Sequence, residues 1–122
     1  LKYGFNKKRI FYNFDFATAH STGFYVKNTV MKLIGNYNTN FKCSSDYDYY
    51  FRMIDSNSFI GSSTGKDEIV GEVASGGYSS KLSFYQHLIE ETKIRLHNKQ
   101  NVLIIILIFT NAIFKNFLKK LK

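Results

Sequence analysis

Ser44-Ser45-Asp46-Tyr47-Asp48-Tyr49-Tyr50-Phe51-Arg52-Met53-Ile54 reads as a helix with a carboxylate at its mouth. Tyr47, Tyr50, Phe51 and Ile54 recur at i, i+3, i+4 and i+7, which predicts one buried stripe. Ser44 or Ser45 can cap the first turn, because a short hydroxyl accepts from the free backbone N–H groups there. Asp48 and Arg52 stand four apart and can pair along another face. Asp46 sits at or just inside the N-terminus, where the helix dipole favours negative charge. A carboxylate so placed can take a proton from something in a cleft. It can equally be a second capping residue.

Working back from this helix, Asn36 to Cys43 is a polar loop that holds Tyr37 and Phe41. Before it, Asn28 can cap a short helix through Ile34, and Gly35 supplies a left-handed end. Phe24-Tyr25-Val26 is expected as a short strand, preceded by the small-residue loop Ala17 to Gly23. Ile10 to Phe16 alternates in part and is rich in aromatics, so a strand is expected there too. Residues 1–9 are a basic lead-in.

Working forward, the helix fades at Asp55 to Ser58, and Ser62 to Asp67 is a turn-rich connection. Ile69 to Ala74 is expected as a strand, with Ile69, Gly71 and Val73 on one face. Ser75 to Ser80 is a glycine-bearing loop, with Ser79 or Ser80 as the next cap. Residues 81–97 form a long helix whose stripe is Leu82, Tyr85, Leu88/Ile89, Thr92 and Leu96, with Glu91 and Arg95 as an i,i+4 pair. Val102 to Phe109 is an unbroken apolar run. It is shorter than the roughly 20 residues of a membrane span, and Lys115, Lys119, Lys120 and Lys122 follow it. This tail is either a helix packed on the domain or one lying on an anionic membrane face. The division is therefore a body over residues 1–98 and a basic amphipathic helical extension over 99–122.

The order of pieces over roughly residues 10–100 resembles the second half of the family-2 glycosyltransferases, which use the GT-A fold. The matching pieces are Phe24-Tyr25-Val26-Lys27, Val30 to Gly35, Asn36 to Phe41, Ser45-Asp46-Tyr47-Asp48 with Arg52, Ser75-Gly76-Gly77-Tyr78-Ser79-Ser80, and Glu90 to Ile94. Ser45 stands where many members have Glu. The resemblance implies an α/β fold: part of a GT-A-like domain with short strands, an acidic-motif helix and long C-terminal helices. It implies an inverting enzyme that moves a sugar from a nucleotide-sugar donor to a hydroxyl of a glycan or lipid-linked acceptor, in surface polysaccharide synthesis. Asp46 corresponds by motif to the catalytic base. His20 stands where members often have His, either near the diphosphate or acceptor or as an ordinary loop histidine. Asp48, Gly76 and Gly77 are the further candidate substrate contacts. Asp46-Tyr47-Asp48 also spells D-x-D, but it opens a helix, whereas the family's metal-binding D-x-D lies upstream in the nucleotide-binding half. A divalent metal, Mg or Mn, is thus expected in a full enzyme, with ligands mainly outside this chain and no metal ligand assigned within it.

Composition frames these expectations. The chain has 122 residues, enough for one small domain, and begins at Leu1, which fits a fragment or a processed chain. Lys+Arg is 17 against Asp+Glu 9, a formal charge of +8, which suits an anionic partner. Aromatics at 17% argue for a packed core and against a disordered basic arm. The single Cys43 excludes an internal disulfide, favours a reducing compartment and reads as a small core residue. No secretory signal is evident. The expected location is cytoplasmic and peripheral at the inner membrane face. His87 and His97 show no ligand spacing, so no zinc site is expected. The alternative function is a small basic nucleic-acid-binding or membrane-surface module without catalysis. Nucleic acid is the less favoured partner, because the positive residues do not concentrate around the aromatics and no nucleic-acid motif occurs.

Overall fold

The structure, a computed structural model, describes residues 7–13, 23–56, 61–62, 64–65, 67–69, 71–72, 74 and 76–121. The described residues form helices α1 (Lys7–Tyr12), α2 (Asn28–Ile34), α3 (Ser45–Asp55), α4 (Phe84–His97) and α5 (Val102–Lys120), with a 3-10 turn at Tyr78–Lys81. No strand occurs among them. The α/β, GT-A-like expectation is therefore corrected: the described fold is all-helical.

Each expected strand fails for a local reason. Residues 10–12 belong to α1, and residues 14–16 lie outside the described set. Phe24 to Val26 is irregular backbone, and among the described residues no strand lies beside it to form a ladder. Phe24 and Val26 instead pack on the α3 core. Ile69, Gly71, Glu72 and Ala74 are irregular and exposed, while Val70 and Val73 lie outside the described residues. Aromatic and β-branched content measures fit to a half-buried surface more than it measures a backbone preference.

The core is built on α3. Tyr47, Tyr50, Phe51 and Ile54 are buried, as their spacing predicts, and Tyr49 and Met53 join them. Burial of a side chain such as Phe51 or Ile54 contributes about 1.5–3 kcal/mol. Phe11 of α1 meets Phe51 edge-on at 5.0 Å. The α2 helix ends at Gly35, whose φ of 81° is the left-handed region glycine favours. Lys27, not Asn28, holds its N-cap position. Arg52 then ties α2 to α3: its guanidinium donates to the Ile34 carbonyl at 2.6 Å and the Asn36 carbonyl at 2.9 Å. Carbonyls freed at the end of α2 are thus satisfied by a cation.

Helix α4 starts later than the sequence suggests. Ser83 is its cap: the Gln86 N–H donates to Ser83 Oγ at 3.3 Å, and the Ser83 N–H donates to Gln86 Oε1 at 2.7 Å. The expected caps Ser79 and Ser80 lie in the 3-10 turn. The buried face of α4 is also displaced from the expected stripe. It consists of Leu88, Glu91, Ile94 and Arg95, while Tyr85, Ile89 and Leu96 are exposed. Arg95 explains the rotation. Its guanidinium donates to Glu91 Oε1 at 2.7 Å, to the Phe11 and Asn13 carbonyls at 2.8 Å each, and to Gln100 Oε1 at 2.8 Å. It also lies 5.4 Å from the Tyr47 ring centroid. A buried, fully hydrogen-bonded cation thus cross-links α1, α3 and α4.

A short turn through Asn98 to Asn101 reverses the chain into α5, with Lys99 in the left-handed region at φ 56°. Asn101 caps α5 through the Leu103 N–H at 2.9 Å. Ile105, Ile108 and Ala112 are its buried face. Near its far end, Lys120 Nζ sits 5.9 Å from the Tyr85 ring centroid at the start of α4, so the two helices run antiparallel.

Candidate functional site

Asp46 occupies the first turn of α3. Ser44 holds the N-cap position at φ −120° but makes no side-chain cap bond. Asp46 Oδ1 accepts the Tyr47 N–H at 2.8 Å instead. The turn just upstream is fixed from α4. Glu90 accepts the Lys42 N–H at 2.8 Å and the Cys43 N–H at 3.1 Å. The entry to the Asp46 helix is thereby pinned by one carboxylate 48 residues beyond Lys42.

Asp46 is half-buried, and its charge reaches two nearby phenols. Burial first, then Tyr49 and then the Asp46 carboxylate, push the Tyr37 phenol above its ordinary range. Burial first, then Asp46 and then Tyr37, push Tyr50 up further. Burial raises the Cys43 thiol; the Ser44 hydroxyl partly offsets this, and Glu90 and Asp46 add to it. Tyr37, Tyr50 and Cys43 thus all feel the field of Asp46 and stay protonated. Tyr37 stacks on Tyr49 with centroids 4.7 Å apart and planes at 25°, and Phe24 meets Tyr50 edge-on at 4.2 Å. The result is a partly open carboxylate within electrostatic reach of the neutral Tyr37 and Tyr50 phenols, the second with its hydroxyl buried. Neutral phenols can orient a hydroxylated ligand by hydrogen bonds, while a carboxylate can take its proton.

Asp48, two residues on, is wholly buried and has a different task. Its Oδ2 accepts from Arg52 Nε at 2.9 Å and its Oδ1 from Asn98 Nδ2 at 2.9 Å. Its reading as a substrate contact is corrected: both oxygens serve the joint between α3 and the α4–α5 turn. The same fact bears on a metal at Asp46-Tyr47-Asp48. Two carboxylates share a hard cation only if both offer free oxygens to it, and Asp48 does not. Among the described residues no group of three or more His, Cys, Asp or Glu is placed to hold a metal ion.

The other expected residues do not converge on Asp46 in the described contacts. His20 lies outside the described residues. Gly76 and Gly77 lie in the exposed lead-in to the 3-10 turn, where an added Cβ would meet open space. Gly76, at φ 96°, does need a glycine for its backbone. Cys43 has a neighbour that its sequence position hides: its Sγ lies 3.5 Å from His87 Nδ1 on α4. A cavity of about 370 Å³ lies at the opposite end of α3, lined by Phe11, Phe51, Asp55, Asn98, Gln100 and Ile104 among others. It is a gap between α1, α3 and the α4–α5 turn, away from Asp46.

Sequence reasoning gave Glu90 and Asn98 no contact and read Arg95 only as the partner of Glu91. Glu90 fixes the turn before α3, Asn98 holds Asp48, and Arg95 binds three segments. A usable signal existed for Arg95 and Glu91. They fall at i+7 and i+3 from Leu88, on the face shared with Ile94. Against known proteins, no family model, no curated protein and no solved structure matches this chain.

Proposed function

We propose that this chain is the acceptor-side part of an inverting glycosyltransferase, with Asp46 as general base. One observation carries the reading: the two acids of Asp46-Tyr47-Asp48 are divided between tasks. Asp48 is consumed inside the fold, while Asp46 stays partly open at a helix start among neutral phenols. That division is what a base motif requires and what a metal clamp does not. The ordered resemblance of the segments from Phe24 to Ile94 supports the same reading from the sequence side.

In this account the acceptor hydroxyl lies against Asp46, and its proton passes to the carboxylate. The acceptor oxygen forms its bond to the anomeric carbon of the donor sugar. The bond from that carbon to the phosphate oxygen breaks, and the nucleoside diphosphate leaves with the electron pair. The Tyr37 hydroxyl, on an exposed ring, orients the acceptor, and the Tyr37–Tyr49 stack offers an apolar face. The residues that bind the nucleotide, and any divalent metal neutralising the diphosphate, are assigned to a segment outside this chain. A metal does not fit the Asp46–Asp48 pair, so no step passes through one here.

The test compares the 122-residue chain alone with a longer product that includes the coding sequence upstream of Leu1. The longer product should release nucleoside diphosphate from a nucleotide sugar at a rate that depends on a glycan or lipid-linked acceptor. The chain alone should do neither this nor bind the donor in calorimetry. Donor turnover by the longer product that ignores every hydroxylated acceptor would remove the transferase reading.

A further inference from the structure

The outward face of α5 carries a feature that sugar transfer does not use. At about 100° per residue, Leu103, Ile106, Leu107, Phe114, Phe117 and Leu118 fall on one line, opposite the buried Ile105, Ile108 and Ala112. Every one of these six side chains is exposed, Leu107 at 67% and Leu103 at 71%. The stripe extends most of the helix length, roughly 28 Å at 1.5 Å per residue. So long an apolar face left in water is unusual for a soluble domain.

The charges around the stripe indicate what covers it. Lys115 and Lys120 are exposed and fall on the two flanks of the stripe, while Lys119 falls on the side that faces α4. From Thr92 to Lys122 the sequence holds Lys and Arg residues and no acidic one. Apolar side chains on one face with lysines along its margin match a helix lying in a membrane interface, its lysines reaching anionic headgroups. The same charges oppose a second copy. Pairing two stripes would bring together lysine margins of two chains, each carrying a formal +8.

The helix is also long and apolar enough, at 19 residues, to cross a membrane by length and composition. Crossing would require α5 to leave α4, exposing Ile105, Ile108 and Ala112 and pulling Lys115 into hydrocarbon. Docking in the plane keeps every contact of the fold. We infer that α5 docks the protein on an anionic lipid surface through the Leu103–Leu118 stripe, lying in the interface without spanning the bilayer.

The test uses the full chain with vesicles of phosphatidylcholine alone and of phosphatidylcholine with phosphatidylglycerol. Binding should be strong to the anionic vesicles and weak to the neutral ones. The variant Leu107→Glu/Phe117→Glu should keep its helix content and melting temperature and lose binding roughly tenfold or more, since two apolar side chains no longer enter lipid. Lys115→Glu should weaken binding by about fivefold or more at low salt, and less at high salt. Four results would overturn the inference. Equal binding to both vesicle types removes the anionic surface. Unchanged binding in the Leu107→Glu/Phe117→Glu variant removes the stripe. Dimerisation without lipid that this variant abolishes assigns the stripe to a second copy. Resistance of the bound protein to alkaline carbonate extraction means that α5 spans. None of these outcomes depends on sugar transfer, so the inference stands or falls apart from the function proposed above.

Discussion

Glu90 on α4 holds the backbone N–H of Cys43 at 3.1 Å, and so fixes the turn that delivers Asp46 to its place. The bond joins residues far apart in the chain, so the N-terminal end of α3 depends on how α4 packs. Replacing Glu90 with Ala should leave the Lys42 and Cys43 amides without this acceptor. A lost hydrogen bond to a charged group costs about 1–3 kcal/mol, and the partial exposure of this turn favours the low end. Amide exchange at Lys42 and Cys43 should speed up more than exchange in the middle of α3. Unchanged protection at both amides would show that Glu90 does not anchor the turn.

Arg95 is the residue on which α1, α3 and α4 converge, and its side chain is only 1% exposed. Arg95→Met should destabilise the fold by about 3–5 kcal/mol, because the buried Glu91 carboxylate loses its counter-charge. Adding Glu91→Leu should recover part of that loss and not all of it, since the Phe11 and Asn13 carbonyls still lack their donor. Urea unfolding of the three proteins measures both steps. A double variant weaker than Arg95→Met alone would refute this description of the pair.

Asp48 and Asp46 should separate cleanly by stability. Asp48→Ala removes the partner of Arg52 and Asn98 and should cost about 2–3 kcal/mol, as for lost bonds to a buried charged group. Asp46→Asn keeps an oxygen to accept the Tyr47 N–H and should change stability by well under about 1 kcal/mol. Thermal melts of the two variants decide this. Equal losses would mean that Asp46 is as structural as Asp48.

Alkaline pH should unfold the protein early. Burial, the first cause for each, raises the Tyr47 and Tyr50 phenols above their ordinary 10.0. For an acid raised in the folded state, the unfolded chain loses its proton first. Stability from these groups is therefore complete below pH 10 and falls as pH climbs above it. The slope is up to about 1.4 kcal/mol per pH unit for each tyrosine. Tyr47→Phe and Tyr50→Phe should each flatten that loss. Denaturation followed across alkaline pH tests it, and a stability curve that stays level above pH 10 would contradict the burial of these hydroxyls.

The sequence disclosed α3 well because its apolar spacing and its burial coincide: Tyr47, Tyr50, Phe51 and Ile54 all lie in the core. Gly35 likewise marked the end of α2 through a backbone need visible in one letter. The strands misled because aromatic, β-branched runs were read without knowing what stands beside them. Phe24 meets a helix residue, Tyr50, and not a neighbouring strand. On α4 the apolar letters pointed outward, since Arg95 and Glu91 could enter the core only as a pair satisfied by carbonyls of distant residues. The i,i+4 pairing itself was legible; its burial was not. The place of Asp46 in the first turn of α3 was legible. The supports from Glu90 and Asn98 are long-range bonds that no local pattern contains.

The most direct test of the account is acceptor-dependent sugar transfer by the longer product carrying Asp46→Asn, measured beside its melting temperature and donor affinity. Loss of a general base should lower the rate by about 10²–10⁴ while melting and donor binding stay near wild type. Wild-type turnover in this variant would contradict the account and remove Asp46 from the chemistry.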